Sequence, residues 1–251
     1  MIAFDLVFFA VAIPAVIFAG VSKGGFGSGA SFASAAILAL ILPPELALGM
    51  MLPLLMLIDV SAVPSYWRKW NWRDCQRVLI GSLPGVAFGA VVLEIAPADL
   101  IRFLIGAIAI LFVVWQMAKA RGLVPTPKEQ LGAPAGIITG AIAGFTSFVS
   151  HAGGPPVAVY LLSQKLDKLT YQASTVLIFW AINVFKFIPY AAMSVFTQDT
   201  WIAVALLAPM ALLGTWLGVK AHRIVPELAF FGITYILLVL TGSRLIWTAI
   251  A

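Results

Sequence analysis

Apolar runs alternate with short polar or charged interruptions along the whole chain, and most runs have the roughly 17 to 25 residues that a bilayer-crossing helix needs. The pattern predicts an all-α polytopic membrane protein with five hydrophobic segments in each half. Segment 1 extends from about Phe4 to Val21, segment 2 from about Ser28 to Leu42, segment 3 from about Leu46 to Tyr66, segment 4 from about Val78 to Ile95 and segment 5 from about Leu100 to Ala118. A polar connector, 119–131, carries Pro125 and Pro127 and separates an N-terminal membrane repeat, 1–118, from a C-terminal one, 132–251. Segment 6 (about Ala133 to Val149), a short segment 7 (about Pro155 to Leu162), segment 8 (about Thr170 to Val195), segment 9 (about Thr200 to Val219) and segment 10 (about Leu228 to Trp247) complete the second half.

Two interruptions differ from the rest. Ser22-Lys23-Gly24-Gly25-Phe26-Gly27-Ser28-Gly29 and Ser150-His151-Ala152-Gly153-Gly154-Pro155-Pro156 break apolar runs with glycines, small hydroxyl residues and one basic side chain each. Broken backbone at membrane depth survives only where it is packed in protein or lines a wet cavity. One such break in each half points to the substrate site of a secondary transporter built from inverted repeats. Duplication has a second trace: Ile58-Asp59-Val60 leads to Pro64-Ser65-Tyr66 as Ile182-Asn183-Val184 leads to Pro189-Tyr190. Pro64 and Pro189 are expected to kink their helices. Segments 1 and 2, like 6 and 7, either cross fully or form re-entrant hairpins. The shortness of segment 7 favours a hairpin, which would bring the two glycine-rich tips together near the midplane.

Composition restricts the class. The chain is 62% hydrophobic and 10% charged, against about 25% charged in soluble domains, and its mean hydropathy is +1.06. The net charge of +5 resides in short loops and forms no basic face, so nucleic acid is not the expected partner. Arg68, Lys69, Arg73 and Arg77, then Lys119, Arg121 and Lys128, then Lys165 and Lys168, then Lys220 and Arg223 fall on one side, the cytoplasmic one by the positive-inside rule. Loops with Glu45, with Glu94 and Asp99, and with Asp199 fall outside, and both termini are expected to be periplasmic. Five segments per half is an odd number, so the second half enters from the opposite face and the repeats are inverted. Cys75 stands alone, which excludes an intramolecular disulfide and a cysteine metal cluster. The N-terminus lacks the positive region of a cleaved signal peptide. No G-x-x-x-x-G-K-[ST] loop occurs, so the driving force would be an ion gradient or the substrate's own gradient, with no cofactor.

The two glycine-rich motifs, the chain length and the two membrane halves around a polar middle loop resemble the TauE/SafE family of sulfite exporters over essentially the whole chain. That resemblance implies transport of sulfite, sulfoacetate or another small sulfur-containing anion across the bacterial inner membrane, often as export. A small anion and the bilayer are then the expected partners, with the protein a monomer or homodimer.

Lys23 is a candidate anion attractor beside the free N–H groups of Gly24, Gly25 and Gly27, and equally reads as a loop lysine. His151, with Gly153 and Gly154, holds the matching place; a histidine carries a proton near neutral pH, which opens the way to proton coupling. Ser28 and Ser150, with Ser22, Ser31, Thr146 and Ser147, are candidate neutral donors or simply packing residues. Lys186 interrupts an apolar run and either reaches the site, pairs with Asp59 or snorkels to an interface. Asp59 and Asn183 are candidates for coupling or gating. The competing readings are an anion channel and an intramembrane hydrolase using Ser28 and His151.

Overall fold

Proline, asparagine and aspartate set several helix starts. Pro44 occupies a first-turn position, where its missing N–H costs nothing. Asp5 accepts the Phe8 N–H at 2.8 Å, and Asn71 accepts the Asp74 N–H at 3.2 Å. Asp167, in the loop outside the membrane, caps the eighth helix; hydrogen bonds from the Thr170 side chain and from the Thr170 and Leu169 amides hold its carboxyl below the ordinary range. The structure, a computed structural model, describes residues 2–26, 30–124, 129–221 and 227–251. Among these, every regular element is helical: α1 (Leu6–Val21, continued by a π-helical turn Ser22–Phe26), α2 (Ala33–Leu38), α3 (Pro44–Tyr66), α4 (Trp72–Ile95), α5 (Ala98–Ala120), α6 (Ala133–Ser150), α7 (Gly154–Ser163), α8 (Lys168–Ala192), α9 (Gln198–Ala221) and α10 (Glu227–Ile250). Eight stretches among the described residues are long and apolar enough to cross a membrane. The protein is an all-helical, multi-pass membrane protein.

Loop contacts sort the chain onto two faces. On one, the Ile2 N–H donates to Asp199 at 2.8 Å, and Gly49, near the start of α3, lies against Val195. A basin of about 310 Å³ opens there, lined by Glu45, Glu94, Ser194 and Thr197 among others. We call this the Glu45 face. On the opposite, Trp67 face, the Asn71 N–H donates to Ser174 at 3.0 Å, the Leu131 N–H to Ser163 at 3.3 Å, and the Gln164 amide to the Leu131 carbonyl at 3.0 Å.

The last two contacts return α7 to the face from which α6 enters, and the length of α7 separates a hairpin from a double crossing. The end of α7 is bonded to the chain just before α6, so α6 enters from the Trp67 face and α7 returns to it. Ten residues of helix cover only about 15 Å, half the hydrocarbon thickness. In the first half, α1 starts at the Glu45 face and α2, whose six helical residues are too short to cross, delivers the chain to α3 at that same face. Segment 2 is shorter than its hydropathy suggests: only Ala33–Leu38 is α-helix, followed by turns that end where Pro43-Pro44 stops any continuation. Pro64 and Pro189 stand in the last turns of α3 and α8.

The helices pack in corresponding pairs. α1 lies on α9 as α6 lies on α4, α3 on α9 as α8 on α4, while α3 meets α8 and α5 meets α10. Exchanging each helix with the one five later maps these pairs onto themselves. Glycines bring two of the crossings to backbone contact. At α4–α6, a Cβ on Gly85 would stand 2.0 Å from the Ala141 carbonyl oxygen and one on Gly140 2.1 Å from that of Val78; at α1–α9, one on Gly218 would stand 2.5 Å from that of Val21.

A buried polar knot fastens the second hairpin to α4. The Tyr160 hydroxyl donates to Asp74 at 2.9 Å, and Arg77 donates to both Tyr160 (3.0 Å) and Asp74 (3.1 Å). Tyr160→Phe removes a charge-assisted bond of about 1.5–3 kcal/mol. The expected result is a lower unfolding temperature in detergent, with faster hydrogen exchange along α7; unchanged exchange there would argue against this anchoring.

Candidate functional site

The sequence puts ionisable groups in the middle of apolar helices, and folding makes one line of them. Lys23 sits in the π-helical turn that ends α1, a deformation often found at functional positions. Its ammonium bonds Asp59 of α3 at 2.5 Å; the two residues are only 8% and 3% exposed. The second Asp59 oxygen accepts the Asn183 amide at 2.8 Å. Asn183 turns its carbonyl oxygen toward Lys186, one helical turn along α8, at 3.4 Å. Lys186, fully buried, also donates to Ser147 at 3.2 Å and to His151 Nδ1 at 2.6 Å.

His151 ends the line. Its Nε2 lies 3.2 Å from the Leu48 carbonyl oxygen. A carbonyl only accepts, so Nε2 carries the hydrogen and Nδ1 receives the lysine proton. His151 occupies this place because it closes α6 in the left-handed conformation (φ 58), with its N–H bonded to the Ser147 carbonyl at 2.9 Å. Tyr190, donating to the Phe148 carbonyl at 2.6 Å, fixes α8 against the same stretch. Both imidazole nitrogens are thus engaged, which leaves none to activate Ser28 as a nucleophile.

The two hairpin tips engage α3 at different levels. Leu48 and Asp59 are eleven residues apart, about 16 Å along the helix. The line Lys23–Asp59–Asn183–Lys186–His151 therefore extends along α3, from its Trp67-face half toward the Glu45 face. At its Trp67-face end a narrow cleft, with room for a single water at about 10 Å³, is lined by Lys23, Asp59, Gln172, Thr175 and Phe179 among others. At its other end Leu46, two residues before Leu48, belongs to the wall of the Glu45-face basin.

The remaining candidates are placed as follows. Gly24 and Gly25 face the α9 backbone, where a Cβ would stand 2.5 Å from the Thr215 and 2.2 Å from the Gly218 carbonyl oxygen. Gly27 and Ser28 lie outside the described residues, as do Lys128 and Arg223 of the orientation argument. The Ser150 hydroxyl donates to the Thr146 carbonyl of its own helix at 2.8 Å. Gly153 packs against the Ala143 carbonyl, Ser147 and Phe179; Gly154 opens α7 and is buried. Of the readings open for Lys186, direct pairing with Asp59 is not what the fold makes: Lys23 takes that carboxylate. Sequence reasoning missed the Leu48 carbonyl, Gln172 and Thr175. Among the described residues no three His, Cys, Asp or Glu side chains group as a metal site would require.

A family model described as "Sulfite exporter TauE/SafE" matches residues 12–245. A Cupriavidus necator protein described as a probable sulfite/organosulfonate exporter TauE is 24% identical over 164 residues, which cover 64% of this chain and 62% of that protein's length. No solved structure matches.

Proposed function

The chain belongs to the sulfite exporter TauE/SafE family, a family of transporters rather than enzymes, and from that premise we propose that it is a secondary transporter exporting sulfite or a related small organosulfur anion, such as sulfoacetate, across the bacterial inner membrane. The observation that carries this reading is the buried line itself. It holds two lysines and one carboxylate, all within the apolar slab. With both ammoniums protonated, one positive charge has no fixed partner, and an ionisable group at that depth marks an ion pathway by default. A small anion supplies the missing charge.

Alternating access is the motion the closed cleft calls for. About 10 Å³ at the Trp67 face admits no sulfur oxyanion, so α3 and α8 must part there before the anion reaches Lys23. We place the Trp67 face in the cytoplasm on its Arg68, Lys69, Arg73 and Arg77. The anion then leaves past Lys186 and His151 toward a basin whose two glutamates, Glu45 and Glu94, repel it into solution. His151 and Lys186 in direct contact offer a seat for a coupled proton.

Purified protein in proteoliposomes is expected to show saturable sulfite flux that accelerates when unlabelled sulfite waits on the far side. Flux linear in concentration without counterflow would favour a channel, and no flux with sulfite, thiosulfate, sulfoacetate or taurine would remove the transport reading.

A further inference from the structure

The inner stripe of α8 descends from the Trp67 face through Gln172, Thr175 and Phe179 to Asn183 and Lys186, residues three or four apart and so on one side of the helix. All the polar groups of this stripe have protein partners except one. Thr175 donates to the Tyr171 carbonyl at 2.9 Å, while Asn183 and Lys186 belong to the buried line. Gln172 makes no hydrogen bond among the described residues, is half-buried, and lines the cleft beside Lys23 and Asp59. A primary amide held in a protein wall with its donors unspent is poised to bind something that is not protein.

We propose that Gln172 is a substrate-recognition residue, and that the cleft it lines, once α3 and α8 part, is an outer binding site for a singly charged sulfur oxyanion. The inference rests on the transport reading above. Its chemistry follows from the lining. Lys23 uses one N–H on Asp59, which leaves two donors on an ammonium whose side chain lines the cleft; Gln172 adds two neutral ones. Together they match the three oxygens of a hydrogensulfite or a sulfonate head group. Asp59, on the same wall, sets the charge limit. Its carboxylate cancels most of the Lys23 charge as seen from the cleft and repels a second negative charge, so a dianion meets a site with too little positive charge to replace its hydration. Gln172 reads the oxygens without adding charge, which a lysine or arginine at this position would not do.

The test uses full-length protein in proteoliposomes with methanesulfonate, a monoanion at every practical pH, and methanedisulfonate, which carries two such groups. Wild type is expected to take up methanesulfonate, with methanedisulfonate competing at least about tenfold less well, one hydrogen-bond or charge mismatch being of that order. Gln172→Ala raises the KM for methanesulfonate about tenfold and leaves the maximal rate within about twofold. Gln172→Glu, isosteric but negative, removes measurable uptake, whereas Gln172→Asn, which keeps the amide, stays nearer wild type. Thermal unfolding of each variant reports whether the fold survives. A KM unchanged in both Gln172→Ala and Gln172→Glu, or equal competition by the disulfonate, overturns the inference while leaving transport intact. Wild-type vesicles that carry no sulfur oxyanion overturn the transport reading itself and this inference with it.

Discussion

Asp59→Asn is expected to abolish transport and to cost about 3–5 kcal/mol of stability, the usual effect of removing one partner from a buried ion pair. Lys23 then holds an ammonium at 8% exposure with no anion beside it, and the single amide oxygen left at position 59 can meet only one of the two donors, Lys23 and Asn183, that the carboxylate satisfied. The damage therefore passes along the line. Lys23→Met combined with Asp59→Leu separates the two contributions. Exchanging both charges for apolar side chains of similar volume restores much of the stability, yet the double variant still carries no anion because the Lys23 donors that meet it at the cleft are gone. Unfolding temperature in detergent and flux in vesicles measure the two halves of this expectation. Wild-type flux in Asp59→Asn would show that anions do not travel past this pair.

Gly85→Leu is expected to prevent assembly of the helix bundle. The first atom of the new side chain would stand 2.0 Å from the Ala141 carbonyl oxygen, and that oxygen is backbone, so only separation of α4 from α6 relieves the clash. Neighbouring contacts, with Gly81 on Ile137 and Gly144 on Ser82, are lost together when the crossing opens. The loss exceeds the about 1–3 kcal/mol of ordinary overpacking, and the variant should leave the monodisperse peak in size-exclusion chromatography. Gly218→Leu, at the corresponding α1–α9 crossing, should behave alike. Gly232→Ala is the control: nothing lies within 4 Å of its added carbon, and better helix propensity should raise stability by about 0.5–1 kcal/mol.

The transmembrane plan was legible because lipid imposes it. Apolar runs between basic and acidic loops located every long helix, and the Gly-Gly-Pro-Pro that starts α7 located the turn of the second hairpin. The contacts of Ser163 and Gln164 with Gln130 and Leu131 were not legible, since loop charges place a hairpin and a double crossing identically. Asp59 and Asn183 stood out as corresponding residues, and they touch. That Lys23 would take the Asp59 carboxylate while Lys186 turned to His151 depends on how deep each hairpin reaches, which hydropathy does not encode. Glycine was ambiguous for a physical reason: a missing Cβ serves an exposed anion cradle and a close helix crossing equally well, and Gly24 and Gly25 lie against α9. Gln172 escaped notice because one amide in the second turn of a helix looks like any interfacial polar residue.

The unequal reach of the two hairpins has an electrical consequence. The line from Lys23 to His151 spans roughly 16 Å of an approximately 30 Å slab, so an anion that follows it crosses much of the membrane voltage. With the Trp67 face inward as proposed, a monoanion crossing the whole slab without a coupled ion is driven outward by about 2.3 kcal/mol per 100 mV. On that orientation a negative interior favours outward movement of such an anion, and vesicles held at opposite potassium diffusion potentials should carry it at very different rates unless a coupled proton cancels the charge moved.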